Sequence, residues 1–416
     1  MRIQSLYNAG LLIDADGARL LCDPWLTDGA YQGAWAIWPR PLTHPVLDIG
    51  KVNAIYISHV HPDHYDKTFL RQYLQHWGYT PILCGLESLA ASLQADGFAS
   101  AHYCRLFELS KRAVCLIVPN NLRRTQVDTA LAVRCGDESL VDLNDNPYDE
   151  QQIKLLKAFC GEQISVAYLP FTGASGYPQR FAFSSEEECK KAGAAKKHVG
   201  LTRFLRYVEA FSPKYVVPFA GEYWLRGRLS AFNRLRGQND ATEAAAIYPH
   251  AVLPAGGAWF DAASGQASAL RTEPYDAHQA DWEILARPSV GYALDEDVPE
   301  LAYATVEWRK LLNDAWHAAQ RRLSQQPVPH VAVCVEYDLG LWVSVRFGAE
   351  GVCVVGAMPA DSIPRLELSM DQRYLIGLLV GRYHWNDAEI SSHVHIKRVP
   401  DVFDPSVFEM LEAWHV

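Results

Sequence analysis

The run Ser58-His59-Val60-His61-Pro62-Asp63-His64-Tyr65-Asp66 places three imidazoles and a carboxylate within positions 59–64, directly after the apolar run Val52-Asn53-Ala54-Ile55-Tyr56-Ile57. A strand that ends this way delivers both donor types to one point at its C-terminal edge. Neutral imidazole and carboxylate are the ligands that Zn, Fe and Mn accept. His59 and His61 alternate past the strand and can grip one ion; Asp63 and His64 can grip a second, roughly 3.5–4 Å away. Asp63 and His64 are therefore also the candidates for catalysis. Two ions need a bridging carboxylate from a distant loop, and Asp145 is the candidate, because it follows the apolar strand ending at Leu143 and precedes the turn at Pro147. An Asx turn is the other reading of Asp145. Asp23, after the second strand, can accept the free N–H of a ligating imidazole, fixing its tautomer and raising its basicity; a β-turn Asp before Pro24 is its alternative.

The elements that must position these groups read as follows. Ala9–Ile13 and Ala18–Cys22 flank the hairpin signal Asp14-Ala15-Asp16-Gly17. Strands follow at Ala54–Ser58, Pro81–Cys84, Ala113–Val118, Thr129–Arg134, Ser139–Leu143, Ser165–Pro170 and Tyr215–Phe219, with helices at Lys67–His76, Glu87–Ala95, Gln152–Phe159 and Lys196–Phe211. Strand pairs mixed with single helices predict two sheets with helices outside. After a looser stretch rich in Ala, Gly and Pro, a long helix over Leu301–Arg322, three antiparallel-type strands from Val331 to Ala357 and a helix over Ser369–Val380 predict a compact α+β unit. The expected division is a metal domain over 1–260, a linker over 261–298 and a smaller C-terminal α+β domain over 299–416.

At 416 residues the chain exceeds one ordinary core. Its 49% hydrophobic and 21% charged residues are those of a soluble globular protein. A net charge of -10 argues against a nucleic-acid surface, which needs clustered Lys and Arg. No apolar run reaches the roughly 18 residues of a membrane span, and the first residues do not read as a signal peptide. The nine Cys form no C-x-x-C pair, which argues against a cysteine-built cluster and fits reduced thiols in a cytoplasm.

With Asp23-Pro24-Trp25-Leu26 before it, His59-Val60-His61-Pro62-Asp63-His64 resembles the metallo-β-lactamase superfamily. That resemblance implies an α/β fold, an αββα sandwich with its metal site at one edge of the sheets. A finer likeness is to the branch of ascorbate-6-phosphate lactonase-like proteins, N-acyl-phosphatidylethanolamine phospholipase D and CMP-N-acetylneuraminate hydroxylase. Val127-Asp128-Thr129-Ala130-Leu131, Leu143-Asn144-Asp145, Leu169-Pro170-Phe171-Thr172-Gly173-Ala174 and Tyr215-Val216-Val217-Pro218-Phe219-Ala220-Gly221 resemble the hydroxylase group, as does Gly381-Arg382-Tyr383-His384-Trp385-Asn386-Asp387 near the C-terminus. Two departures stand out. The hydroxylase carries a Rieske iron–sulfur domain, whose Cys and His pairs this chain lacks, so an oxygenase reading requires an external electron donor. The superfamily also supplies two further histidines where this chain has Val118-Pro119-Asn120-Asn121 and Phe219-Ala220-Gly221-Glu222; Gln126 and Glu222 are the candidate substitutes.

Arg123-Arg124 and Arg226-Gly227-Arg228 lie on loops after strands. Arg forks suit phosphate or carboxylate, so Arg123 and Arg228 are candidates to hold an anionic small-molecule substrate. Trp25, Tyr31, Trp35 and Trp38 form an aromatic loop that could wall a pocket or pack between domains. His102 and His198 read as surface or capping residues; His384, His393 and His395 read as fold-supporting or pocket-lining. The favoured activity is a metal-dependent hydrolase using a metal-bound hydroxide, held by one or two ions of Zn or Fe, with Mn as a further choice. The alternatives are a non-haem iron oxygenase, mono- or di-iron, and a binding protein whose metal site has decayed.

Overall fold

The computed structural model describes residues 1–122, 128–287, 305–324, 328–348, 351–359 and 362–416. Two sheets pack face to face. The first runs Trp259–Asp261, Arg2–Ser5, Leu11–Ala15, Ala18–Cys22, Ala54–Ile57, Ile82–Cys84, Ala101–Tyr103; the second runs Tyr215–Phe219, Val166–Pro170, Glu138–Asp142, Thr129–Cys135, Ala113–Pro119, Leu106–Glu108. Side-chain alternation along each strand explains the layering. Leu11, Ile13, Leu20, Cys22 and Tyr56 meet Cys115, Ile117, Leu131, Val133, Val166 and Tyr168 between the sheets. The intervening Leu12, Leu21, Ile55 and Ile57 face outward onto Phe69, Leu70 and Tyr73 of the helix Lys67–Trp77 and Leu89 and Leu93 of Glu87–Ala95. On the far side Ala130, Ala132, Val141 and Ala167 meet Ile153 and Leu156 of Glu150–Cys160 and Phe204, Tyr207 and Phe211 of Glu186–Phe211. The result is an αββα sandwich of the α/β class.

Three local features differ from the sequence reading. The helix expected from Lys196 begins at Glu186, because Ser185 caps it by accepting from the Glu188 N–H and Glu186, Glu187 and Glu188 complement its positive end. His198 therefore lies mid-helix, on an exposed face. The helix expected from Ser369 begins at Gln372, capped by Asp371, since Arg365–Ser369 pairs as a strand with Ala332–Asp338. The stretch 261–298 opens with Asp261 paired to Arg2, and it holds the helix Ala277–Ala286, whose Glu283 accepts from Trp38 Nε1 at 2.8 Å.

Beyond it, a separate five-stranded sheet runs Val352–Val355, Leu341–Arg346, Ala332–Asp338, Arg365–Ser369, His395–Val399. The helices Trp308–Leu323, Gln372–Leu379 and Pro405–Glu412 cover it, burying Leu312, Val333, Val343, Leu366, Leu378 and Trp414 together. Of the helix expected over 301–322, residues 301–304 lie outside the described residues. No helix among the described residues is long and apolar enough to cross a membrane.

Candidate metal centre

Ala54–Ile57 runs parallel between Ala18–Cys22 and Ile82–Cys84 and is buried on both faces. Its C-terminal end opens into a tight turn, in which the His64 and Tyr65 N–H groups both donate to the His61 carbonyl. Asp66 then caps the next helix through the Phe69 N–H and also accepts from Leu26 and Thr27, pinning the loop after Asp23 against the turn.

This turn brings His59 Nε2 to 2.7 Å from His61 Nδ1, with the His59 and His64 rings 4.1 Å apart. His64 Nδ1 lies 2.8 Å from Asp23 Oδ2, and Ser58 N and Oγ hold the same carboxylate at 2.7 and 2.5 Å. The opposite nitrogen, His64 Nε2, is buried and has no hydrogen-bond partner among the described residues. It faces Asp145 Oδ2 at 3.3 Å and Asp63 Oδ2 at 3.6 Å. An imidazole anchored by a carboxylate on one nitrogen and turned toward two further carboxylates on the other could ligate an ion with its outer partner already in place. His59, His64 and Asp145 offer ligand atoms that all lie within 4.8 Å of one another. Asp145 reaches them because Asn144 adopts a left-handed φ of 38° after the strand Glu138–Asp142 and accepts the Asp145 N–H at 2.7 Å.

Three further residues join the cluster: Asp128 and Asn8, and Tyr31 of the aromatic loop. Asp128 Oδ1 is 3.8 Å from His59 Nδ1. Asp63 is gripped on both oxygens, by Asn8 Nδ2 at 2.8 Å and by the Tyr31 hydroxyl at 2.7 Å. Asp128 did carry a local signal, a carboxylate just before a largely apolar strand, and Tyr31 carried that of the aromatic loop; Asn8 carried none. Tyr31 and Gln32 are consecutive left-handed residues, φ 53° and 52°. For side chains with a Cβ this costs about 1–2 kcal/mol per residue, a strain that proteins retain mainly at working sites.

Other candidates lie elsewhere. Arg228 pairs with Asp371 at 3.0 Å rather than lining the cluster. Glu222 pairs with Arg271 at 2.9 Å beside a separate small cavity. Both corrections have one cause: partners on Arg365–Ser369's following turn and on the segment after Asp261 claim these charges. Arg123 and Gln126 lie outside the described residues. Of the aromatic loop, Trp25 and Tyr31 line a cleft of about 700 Å³ that includes His61, Arg382, His384, Asn386 and Asp387. Trp35 instead stacks on Tyr223, with 3.7 Å between ring centres, and Trp38 packs on Trp224. His102 binds the Ser100 carbonyl at the edge of the first sheet.

Burial holds His59 and His61 below the ordinary imidazole value, so they stand neutral, as ligation requires. Burial also opposes a charge on His64, but the carboxylates of Asp63, Asp145 and Asp23 outweigh it and hold the His64 pKa well above the usual value. Burial pushes Asp145 up, yet His64, His59 and His61 together keep it ionised. These carboxylates favour a proton on His64, so an ion taken up at neutral pH would displace that proton. Calorimetric titration with Co²⁺ in buffers of differing ionisation enthalpy is expected to read about one proton released per loaded centre; a value near zero contradicts the assignment.

No family model matches the chain. The chain is 27% identical over 266 residues to a putative Rieske 2Fe-2S iron-sulfur protein of Mycobacterium tuberculosis, covering 60% of this chain and 48% of that one. It is 23% identical over 240 residues to the cytidine monophosphate-N-acetylneuraminic acid hydroxylase of Cricetulus griseus, covering 54% and 40%. The chain thus spans less than half the length of these curated relatives. Among solved structures, a possible metal-dependent hydrolase of Veillonella parvula superposes with a TM-score of 0.44 at 14% identity, over 62% of this chain and 98% of that one. The chain is an αββα sandwich, and the proteins similar to it in sequence include cytidine monophosphate-N-acetylneuraminic acid hydroxylase.

Proposed function

We propose that the protein is an iron-dependent oxygenase of the metallo-β-lactamase fold, acting on a small organic molecule in the cleft beside His61. One observation carries this reading. Asp128 supplies a carboxylate next to His59, so the six candidate donors are His59, His61, His64, Asp63, Asp128 and Asp145. Three imidazoles balanced by three carboxylates suit iron, whereas zinc sites built for hydrolysis favour more nitrogen. The curated relatives support the class of chemistry, oxidation, and nothing finer. Bound iron would supply the redox chemistry. The protein's own part is to hold its donors, through Asp23 on His64 and through Asn8 and Tyr31 on Asp63, and to seat the substrate between the metal edge and the C-terminal sheet unit. Electrons would come from a separate donor.

Hydrolysis is the second reading, favoured by the intact pairing of Asp63 and His64 with Asp145 at one point, which also serves a two-ion hydrolytic site. Metal content separates the two. Protein purified without chelator is expected to carry iron and to consume O₂ when given a chemical reductant. Stoichiometric zinc with no reductant-dependent O₂ uptake would sink the oxygenase reading in favour of hydrolysis. Asp128→His, which replaces a carboxylate beside His59 with a nitrogen donor, is expected to shift metal content toward zinc.

A further inference from the structure

The C-terminal sheet unit touches the metal edge at residues that do not look like supports for a separate module. His393 Nε2 lies 2.9 Å from the Tyr31 carbonyl, so its ring donates there. Tyr374 packs at a tilt against His393 with ring centres 4.4 Å apart, and its hydroxyl donates to Gln32 Oε1 at 3.1 Å. Both contacts therefore land on the two left-handed residues, Tyr31 and Gln32. Gly29 (φ 100°) and Gly33 (φ 83°) flank them, which lets the chain enter and leave the turn without further strain. Trp35 backs the Tyr31 ring at 4.4 Å, and the hydroxyl points at Asp63 Oδ1. A third contact, Asn386 Nδ2 to His61 Nε2 at 3.0 Å, reaches a candidate ligand directly.

We propose that Tyr31 is a positioning residue for Asp63, and that His393 and Tyr374 hold the left-handed Tyr31–Gln32 turn that presents it, so the C-terminal unit sets the geometry of the metal centre. The inference rests on the metal-centre reading above. The reasoning is conformational. Asp63 has two oxygens, and the Tyr31 and Asn8 contacts decide which lone pairs remain for a cation. A tyrosine held in a disfavoured backbone conformation returns to an ordinary one unless something outside the turn restrains it. The restraint seen on its carbonyl is His393, and on its neighbour Tyr374.

The test is titration of the full-length protein with Co²⁺, read by visible absorption and by binding isotherm, with thermal melting in parallel. Tyr31→Phe keeps the ring packing and removes only the hydroxyl. It is expected to weaken Co²⁺ binding about 10–100-fold and to alter the absorption bands, with melting near wild type. His393→Ala, which touches no donor, is expected to move both readouts in the same direction. Tyr374→Phe, which removes only the hydroxyl that donates to Gln32 Oε1, is expected to move both readouts in that direction as well; a role for Tyr374 in packing alone predicts no change. If wild type binds Co²⁺ and Tyr31→Phe and His393→Ala bind it with unchanged affinity and spectrum, the inference is overturned and the metal centre stands. If wild type binds no Co²⁺, the metal centre falls and the inference with it.

Discussion

His64→Ala is expected to empty the metal centre and to remove reductant-dependent O₂ consumption, by at least about 10³-fold, while the sandwich stays folded. The side chain faces three carboxylates, Asp23 at 2.8 Å, Asp145 at 3.3 Å and Asp63 at 3.6 Å. Its loss removes a donor and leaves those carboxylates repelling one another with a cavity between them. Relaxing that repulsion moves Asp145 and Asp63 apart, so the remaining donors also lose their common centre. A bound metal is worth several kcal/mol in charge stabilisation, and each 1.4 kcal/mol is a factor of ten, which sets the magnitude. The fold survives because the inter-sheet core, Leu11, Ile13, Tyr56, Leu131 and Val133 among others, does not include the turn. His198→Ala, on an exposed helix face, is the control and is expected to keep full metal content. Wild-type metal content and activity in His64→Ala would remove the turn from the chemistry altogether.

Arg271→Ala is expected to be the most destabilising of the charge removals outside the metal cluster, by about 3–5 kcal/mol in urea unfolding. Arg271 is nearly buried, lies 2.9 Å from Glu222 and 3.2 Å from Asp240, and sits over the Tyr275 ring at 3.8 Å. Burial already pushes the Glu222 carboxyl up, and Arg271 is what counters it. Without the guanidinium the partly buried Glu222 and Asp240 carboxylates are left uncompensated, and the contact over the Tyr275 ring goes as well. Arg271→Met combined with Glu222→Gln removes both charges at similar volume and is expected to cost less than Arg271→Ala alone. Metal content is expected to be unchanged in each, because Glu222 is committed to Arg271. Loss of metal in Glu222→Gln with stability intact would restore Glu222 as a ligand.

The contrast between His64 and Glu222 shows what kind of information sequence holds here. Both were candidate donors by residue type and by position after a strand. His64 sits in a run where turn hydrogen bonds between neighbours, His64 and Tyr65 to His61, force the donors together. Glu222 depends on whatever the distant segment around Arg271 offers, and that segment offered a cation. Arg228 met the same outcome with Asp371, 143 positions away. The start of the helix at Glu186 was legible in Ser185 and the three glutamates after it, a capping signal that the apolar periodicity from Lys196 masked.

The amino-acid order by itself determined the two-sheet sandwich, through side-chain alternation of period two, and the clustering of His59, His61, Asp63 and His64, through local turn geometry. Only the tertiary structure decided which groups complete that cluster. Asn8 reaches Asp63 across 55 positions, Asn386 reaches His61 across 325, and His393 reaches Tyr31 across 362. Such contacts follow from how the sheets close and how the C-terminal unit packs. Packing sums many weak apolar contacts over the whole chain, so no single local pattern records where two distant polar side chains will meet.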